Sequence, residues 1–273
     1  MPVPLSLVWF IAAALTVILI LQYVVAPVII YFTQTAIERP DWHQTELSQL
    51  DPVMVQYLGQ IALGFHEHGF VVVKNLYIPG AVPGVQGFQA LLVNRATNDL
   101  AVIIMSRGSH VRPALTFSIR SEFSDGTRLT TGAYPPPNIF PSDPAADWQN
   151  FPWVTQPAVL CEAHRRRLVA TKRDRYTRTI FMPGHEQAYF DRDWDRSNQW
   201  AVQCGYRYLD EQAGLYRFTV KGAFLATWKL VAPIKQVRIW LRSRAARRAW
   251  NALGMNDYRP SGVMPTNTSP TAN

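Results

Sequence analysis

The sequence predicts an α+β protein with a single N-terminal transmembrane helix. A helix-covered antiparallel β-sheet domain follows, and then a basic helical C-terminal region with one β-hairpin. Three observations carry that expectation. Leu5 to Phe32 is a run of 28 residues without a charge. Alternating and β-branched segments then crowd between residues 70 and 134, the pattern of half-buried strands. The charge is lopsided: residues 1–156 hold 7 Lys and Arg against 10 Asp and Glu, a balance of −3. Residues 157–250 hold 19 against 8, a balance of +11 that dominates the chain's +8.

At about 1.5 Å per residue the apolar run reaches about 42 Å as a helix, more than the ~30 Å of a bilayer's hydrocarbon. Trp9 and Tyr31 stand roughly 33 Å apart along it, near the two headgroup levels where aromatic rings collect. A cleaved secretory signal fits poorly. The first residues carry no basic side chain, the run is about twice too long, and Ala12 to Ala14 come too early for a cleavage site. The expectation is an uncleaved anchor in the cell membrane, kinked near Tyr23 because Pro27 interrupts the hydrogen-bond ladder. A short uncharged N-terminus and Arg39 after the span favour a single pass with the bulk of the chain in the cytoplasm.

Residues 33–51 are polar and read as a linker. Residues 52–134 read as the sheet domain with its own N-terminal helix. Asp51 is placed as an N-cap, Pro52 suits the first turn, and Met54, Leu58, Ile61 and Phe65 share one face up to Gly69. Phe70–Leu76, Phe88–Asn94, Leu100–Met105 and Leu115–Phe123 then form an antiparallel meander. At Ser124-Asp125-Gly126 a three-residue loop with Gly126 left-handed sets Glu122 opposite Arg128 on the wet face.

Residues 135–156 are proline-rich and read as a surface connection. The basic helical region spans 157–254. It comprises a helix from Pro157 to about Lys172 and a second from Glu186 to Cys204 ended by Gly205. A hairpin around Asp210–Gly214 comes next, then a helix broken by Pro233, and a last helix from Ile234. Residues 255–273 are rich in Pro, Thr, Ser and Asn and read as a disordered tail.

No chemical constellation emerges that would name a reaction, a cofactor, a metal or a small-molecule ligand, so the chain reads as an interaction or scaffold module rather than an enzyme. His66 and His68 point about 200° apart on a helix and do not converge on an ion, and His68 is expected in the core. Cys161 lies three residues before His164, the best nucleophile–base pair available, but a small buried thiol is the plainer account. An enzyme with its site between sheet and helices, using Cys161, His164 or His68, is the alternative.

The surface expected to act is the terminal helix, where Lys235, Arg238, Arg242, Arg244, Arg247 and Arg248 interleave with Trp240 and Trp250 and no acid intervenes. Tryptophans among cations suit an interfacial segment whose rings dip into headgroups while its charges meet anionic lipid or an acidic protein. The plain alternative is a packed helix with a solvated basic face, because Trp240 and Arg244 lie close in helical projection. Finally, Leu215-Tyr216-Arg217-Phe218-Thr219-Val220-Lys221-Gly222, after a helix and a short strand, resembles the wing-and-return-helix end of winged-helix domains over about thirty of the 273 residues. That resemblance implies a membrane-tethered nucleic-acid binder as a further alternative.

Overall fold

A computed structural model describes residues 5–38, 43–45, 50, 52–82, 85–108, 111–133 and 139–258. It is mixed α/β. The Asp51 cap, the 134–138 prolines and the 259–273 tail lie outside the described residues. The chain divides into two compact units.

The first unit takes in residues 1–40, 137–143 and 191–241. Its apolar helix is α1 (Leu5–Ile20), a π-helical turn (Leu21–Val25) and α2 (Ala26–Thr33) in continuous succession. Within it, Ala12–Thr33 is long and apolar enough to cross a membrane. The π turn centres on Tyr23, whose carbonyl lost its usual donor when Pro27 took the position four residues on. In that turn the Ala26 amide reaches back to the Leu21 carbonyl.

The expected linker is partly structured: β1 (Thr35–Ile37) is a strand in this unit, and β2 (His43–Gln44) is one in the other. In the second unit α3 (Pro52–His66) leads into β3 (Phe70–Val82), β4 (Val85–Asn94), β5 (Asp99–Gly108), β6 (Val111–Glu122), β7 (Arg128–Gly132) and β8 (Ala146–Asn150). Helix α4 (Pro157–Ala170) completes the succession, and α5 (Glu186–Gln203) begins in this unit and ends in the first. The first unit continues through β9 (Arg207–Asp210), β10 (Leu215–Phe218), α6 (Val220–Leu230) and the start of α7 (Ile234–Ala252). Its sheet has the order β1-β10-β9. Antiparallel pairing sets Ala36 opposite Tyr216, and Tyr216 opposite Leu209.

In the second unit the strands run in sequence order from β2 to β8, seven among the described residues. All neighbours are antiparallel except β7 and β8, which are parallel. The β8 strand lies in what the sequence presents as a connection; its five residues alternate poorly and give no strand period. Gly126, at φ +77°, makes the three-residue turn and pairs Glu122 with Arg128 as anticipated.

Both of those side chains are nevertheless buried, so that face is not wet. Segment 177–181 and α5 cover it. The Ser124 amide donates to the Thr177 carbonyl and the Thr179 amide to the Glu122 carbonyl. Nearby, Arg120 lies over the Trp148 and Tyr189 rings at 5.6 and 5.8 Å.

The opposite face carries the main core. Met54, Leu58 and Phe65 of α3 pack with Phe88, Ile103, Phe117 and Ile119 of the strands. Phe65 meets Phe70 and Phe117 edge to face at 5.4 and 5.8 Å. The face recognised from 3.6-residue periodicity is therefore the face that removes apolar area from water. Met255, expected in the tail, is fully buried in the same core. His68 falls past the end of α3 and is exposed, so it is not the core histidine expected.

Candidate functional site

Helix α7 separates its character along its axis as well as around it. At 100° per residue, Ala246 and Trp250 lie on one side and are buried, while Trp240, Leu241, Val237, Arg244, Arg247 and Arg248 lie on the other and are exposed. That outward face is apolar for its first turns, with Trp240 57% exposed, and basic for its last. The proximity of Trp240 and Arg244 that blurs a projection is thus a succession from apolar to cationic along one face.

The eight residues expected to act divide accordingly. Lys235, Trp240, Arg244, Arg247 and Arg248 are exposed, and Arg238 and Arg242 are half-buried. Trp250 is a core residue, 6% exposed and packed edge-on to Phe151 and Trp153 at 4.9 and 5.8 Å. Its burial removes it from any surface contact. The interleaved pattern misled because the two tryptophans, only about 80° apart in projection, fall on either side of the boundary between the exposed and the buried face.

The sequence reading did not single out a second outward apolar face, on α6. Val220, Phe224 and Trp228 are exposed, whereas Gly222, Ala223, Ala226 and Thr227 are buried. The signal was present as a four-residue spacing of large apolar residues with small ones between them. Thr219 caps the helix, accepting from the Gly222 amide at 2.9 Å. Gly222 is required there, since a Cβ would fall 2.0 Å from the Tyr206 carbonyl oxygen. Of the hairpin that resembles a wing, Arg207 stacks on Phe140 and Phe218 and Arg217 pairs with Asp210 at 2.8 Å, so both arginines serve the unit's own fold.

The residues considered for catalysis belong to a buried relay between α4 and the sheet. Asp99 and Ser121 are cross-strand partners on β5 and β6, and Thr131 follows on β7. Ser121 donates to Asp99, which also takes Arg178. His164 Nε2 lies 2.9 Å from Ser121 Oγ and its Nδ1 lies 2.9 Å from Thr131 Oγ1. Arg167 donates to Thr131 Oγ1 at 2.9 Å, to the Thr130 carbonyl at 2.6 Å and to Asp147 at 2.8 Å.

Because the single Ser121 proton goes to Asp99, the direction of the bonds assigns the tautomer: Nε2–H donates to Ser121 and Nδ1 accepts from Thr131. The relay is complete with a neutral imidazole. Burial holds the His164 pKa below its ordinary value, against the pull of Asp99. Burial raises the Asp99 carboxyl, but the nearby His164 side chain, the Ser121 hydroxyl and the Arg178 charge outweigh it and leave its pKa lowered. Arg167 is brought down to about 10 by burial, opposed by Asp147.

This arrangement is not a nucleophile–base–acid triad. Serine stands between the carboxylate and the imidazole, and Ser121, Thr131 and His164 are all buried. Burial pushes the Cys161 thiol up to about 12, with Asp99 adding to it, which keeps the sulfur protonated and unreactive. Among the described residues no group of three or more His, Cys, Asp or Glu is placed to hold a metal ion. No family model matches the chain, and neither a curated protein nor a solved structure matches it.

Proposed function

We propose that this chain is a single-pass membrane-anchored interaction module, a scaffold rather than an enzyme, whose basic C-terminal helix meets anionic lipid headgroups at the cytoplasmic face of the cell membrane. The observation that carries the reading is the outward face of α7: Val237, Trp240 and Leu241, then Arg244, Arg247 and Arg248 along the same side. An apolar end that enters the interface and a cationic end at phosphate level is the order a lipid surface selects. The N-terminal helix, long and apolar enough to cross a membrane, supplies the tether. The balance of +11 over residues 157–250 supplies attraction to an acidic surface.

Each cation near an anionic surface adds about 1 kcal/mol, so removing three weakens the contact by roughly 100-fold. The test is native mass spectrometry of the full-length protein released from micelles doped with phosphatidylglycerol or phosphatidylcholine. The natural chain is expected to retain the anionic lipid preferentially, and Arg244→Ser/Arg247→Ser/Arg248→Ser to lose that preference. Equal retention of both lipids by the natural chain overturns the reading.

A further inference from the structure

Helix α6 turns its large apolar side chains outward and its small ones inward. Val220, Phe224 and Trp228 stack along one face at four-residue intervals and are 60%, 40% and 52% exposed. The buried face is Gly222, Ala223, Ala226 and Thr227. A helix on a water-washed surface has the reverse pattern. Small residues toward a neighbouring helix and bulky apolar ones away from it is the arrangement that packing within lipid produces.

The neighbouring helix is the apolar one. Ile30 and Tyr31 pack on Phe218, Ala223 and Ala226. Further back, the Tyr23 ring meets Trp228 edge-on at 6.2 Å and its hydroxyl donates to the Ala232 carbonyl at 2.7 Å. Numbers rise on one helix as they fall on the other, so α6 runs antiparallel along the stretch from Tyr31 back to Tyr23. That stretch is about 12 Å long, and the 28-residue run exceeds a ~30 Å hydrocarbon layer by about the same 12 Å. Helix α6 therefore flanks the C-terminal end of the apolar helix, where a run longer than the hydrocarbon layer can emerge from it.

The charge pattern agrees. Lys229 donates to the Ile139 carbonyl at 2.8 Å and to the Tyr206 hydroxyl at 2.6 Å, so its ammonium is held inside the unit. The break that follows, Leu230 to Ile234, carries no charge.

We propose that residues 220–234 lie in the boundary between headgroups and acyl chains of the leaflet through which the apolar helix leaves the membrane. Val220, Phe224 and Trp228 face lipid there, and Trp228 sits deepest. The proposal rests on the membrane-anchored reading above and adds the site and depth of an apolar contact to it.

Spin labels on single cysteines, in full-length Cys161→Ala/Cys204→Ala protein in nanodiscs, test it. Labels are placed at Val220, Phe224, Trp228, at Ile18 within the anchor and at exposed Glu211. The ratio of accessibility to oxygen over a polar nickel chelate is expected to rise from 220 to 224 to 228, above Glu211 throughout and below Ile18. Chelate access at 224 and 228 equal to that at Glu211, with Ile18 still oxygen-rich, overturns this proposal while leaving the anchor standing. Exclusion of both reagents at 224 and 228 means that protein covers the stripe, and also overturns it. Chelate access at Ile18 removes the anchor itself. If the cysteine-free chain does not fold, Trp228→Phe in the otherwise natural chain gives a second readout. Its remaining tryptophans are expected to lose part of the quenching by brominated lipid, and unchanged quenching counts against the proposal.

Discussion

Helices α4 and α6 invert one another. On α4 the buried side includes His164 and Arg167, two groups with a high cost of desolvation, and the sheet supplies a partner for each polar atom they bury. On α6 the outward side is Val220, Phe224 and Trp228, and among the described residues they keep much of their surface exposed. A polar group inside is stabilised by complementary polar groups, and an apolar face outside is stabilised only by an apolar surrounding. On the reading proposed above, the difference teaches that the two helices answer to different solvents: the buried side of α4 is built against water, and the outward side of α6 against lipid.

The sharpest way to break the first half of that contrast is His164→Leu. Leucine fills similar space but leaves the Ser121 and Thr131 hydroxyls without their buried partner, each costing about 1–3 kcal/mol. Chemical denaturation of the full-length protein is expected to show a loss of several kcal/mol; a loss below about 1 kcal/mol means the relay is incidental.

The same histidine gives a pH dependence. Its folded pKa is below the ordinary 6.5, so the unfolded chain takes up the proton first and stability falls as pH drops through the window beneath 6.5. Asp99, also lowered, adds a second fall beneath 3.8. His164→Gln is expected to flatten the upper fall in a melting-temperature series and keep the lower one.

The second half is probed by Gly222→Ala, whose Cβ forces α6 away from the Tyr206 carbonyl; overpacking of this kind costs about 1–3 kcal/mol. Thermal unfolding in nanodiscs reads it. Phe224→Ser/Trp228→Ser then separates the solvents. On a water-facing helix the pair is neutral or favourable, whereas on a lipid-facing one it lowers the melting temperature in nanodiscs. The smallest effect belongs to Glu162→Gln. Arg165 and Arg166 hold the Glu162 carboxyl near 2, yet Arg165 is well exposed, and pairs of that kind contribute at most about 1 kcal/mol. A larger loss in the same denaturation assay would show that α4 depends on its solvated side.

Much of this was legible in the residues. The period of Met54, Leu58 and Phe65 placed α3, the alternation from Leu115 to Phe123 placed β6, and the Asp125-Gly126 turn fixed the register of Glu122 with Arg128. Burial of that pair was not legible, because alternation reports which side chains share a face and not whether a later segment covers it. Strand β8 was hidden for a related reason: its parallel partner β7 lies beyond the turn, and parallel pairing leaves no local turn signature. The relay was hidden because Asp99, Ser121, Thr131 and His164 are far apart in sequence and each alone is ordinary. On α7 the basic run was plain, but only the placement of Ala246 and Trp250 against the core revealed which cations share the outward side.

The most direct measurement is alkaline carbonate extraction of membranes from cells making the full-length protein, with intact mass determined on the recovered chain. A protein held by Leu5–Thr33 stays in the membrane pellet and keeps its first residues. Release of the intact chain into the supernatant, or a mature form lacking that helix, contradicts the proposal that the chain is anchored in the membrane.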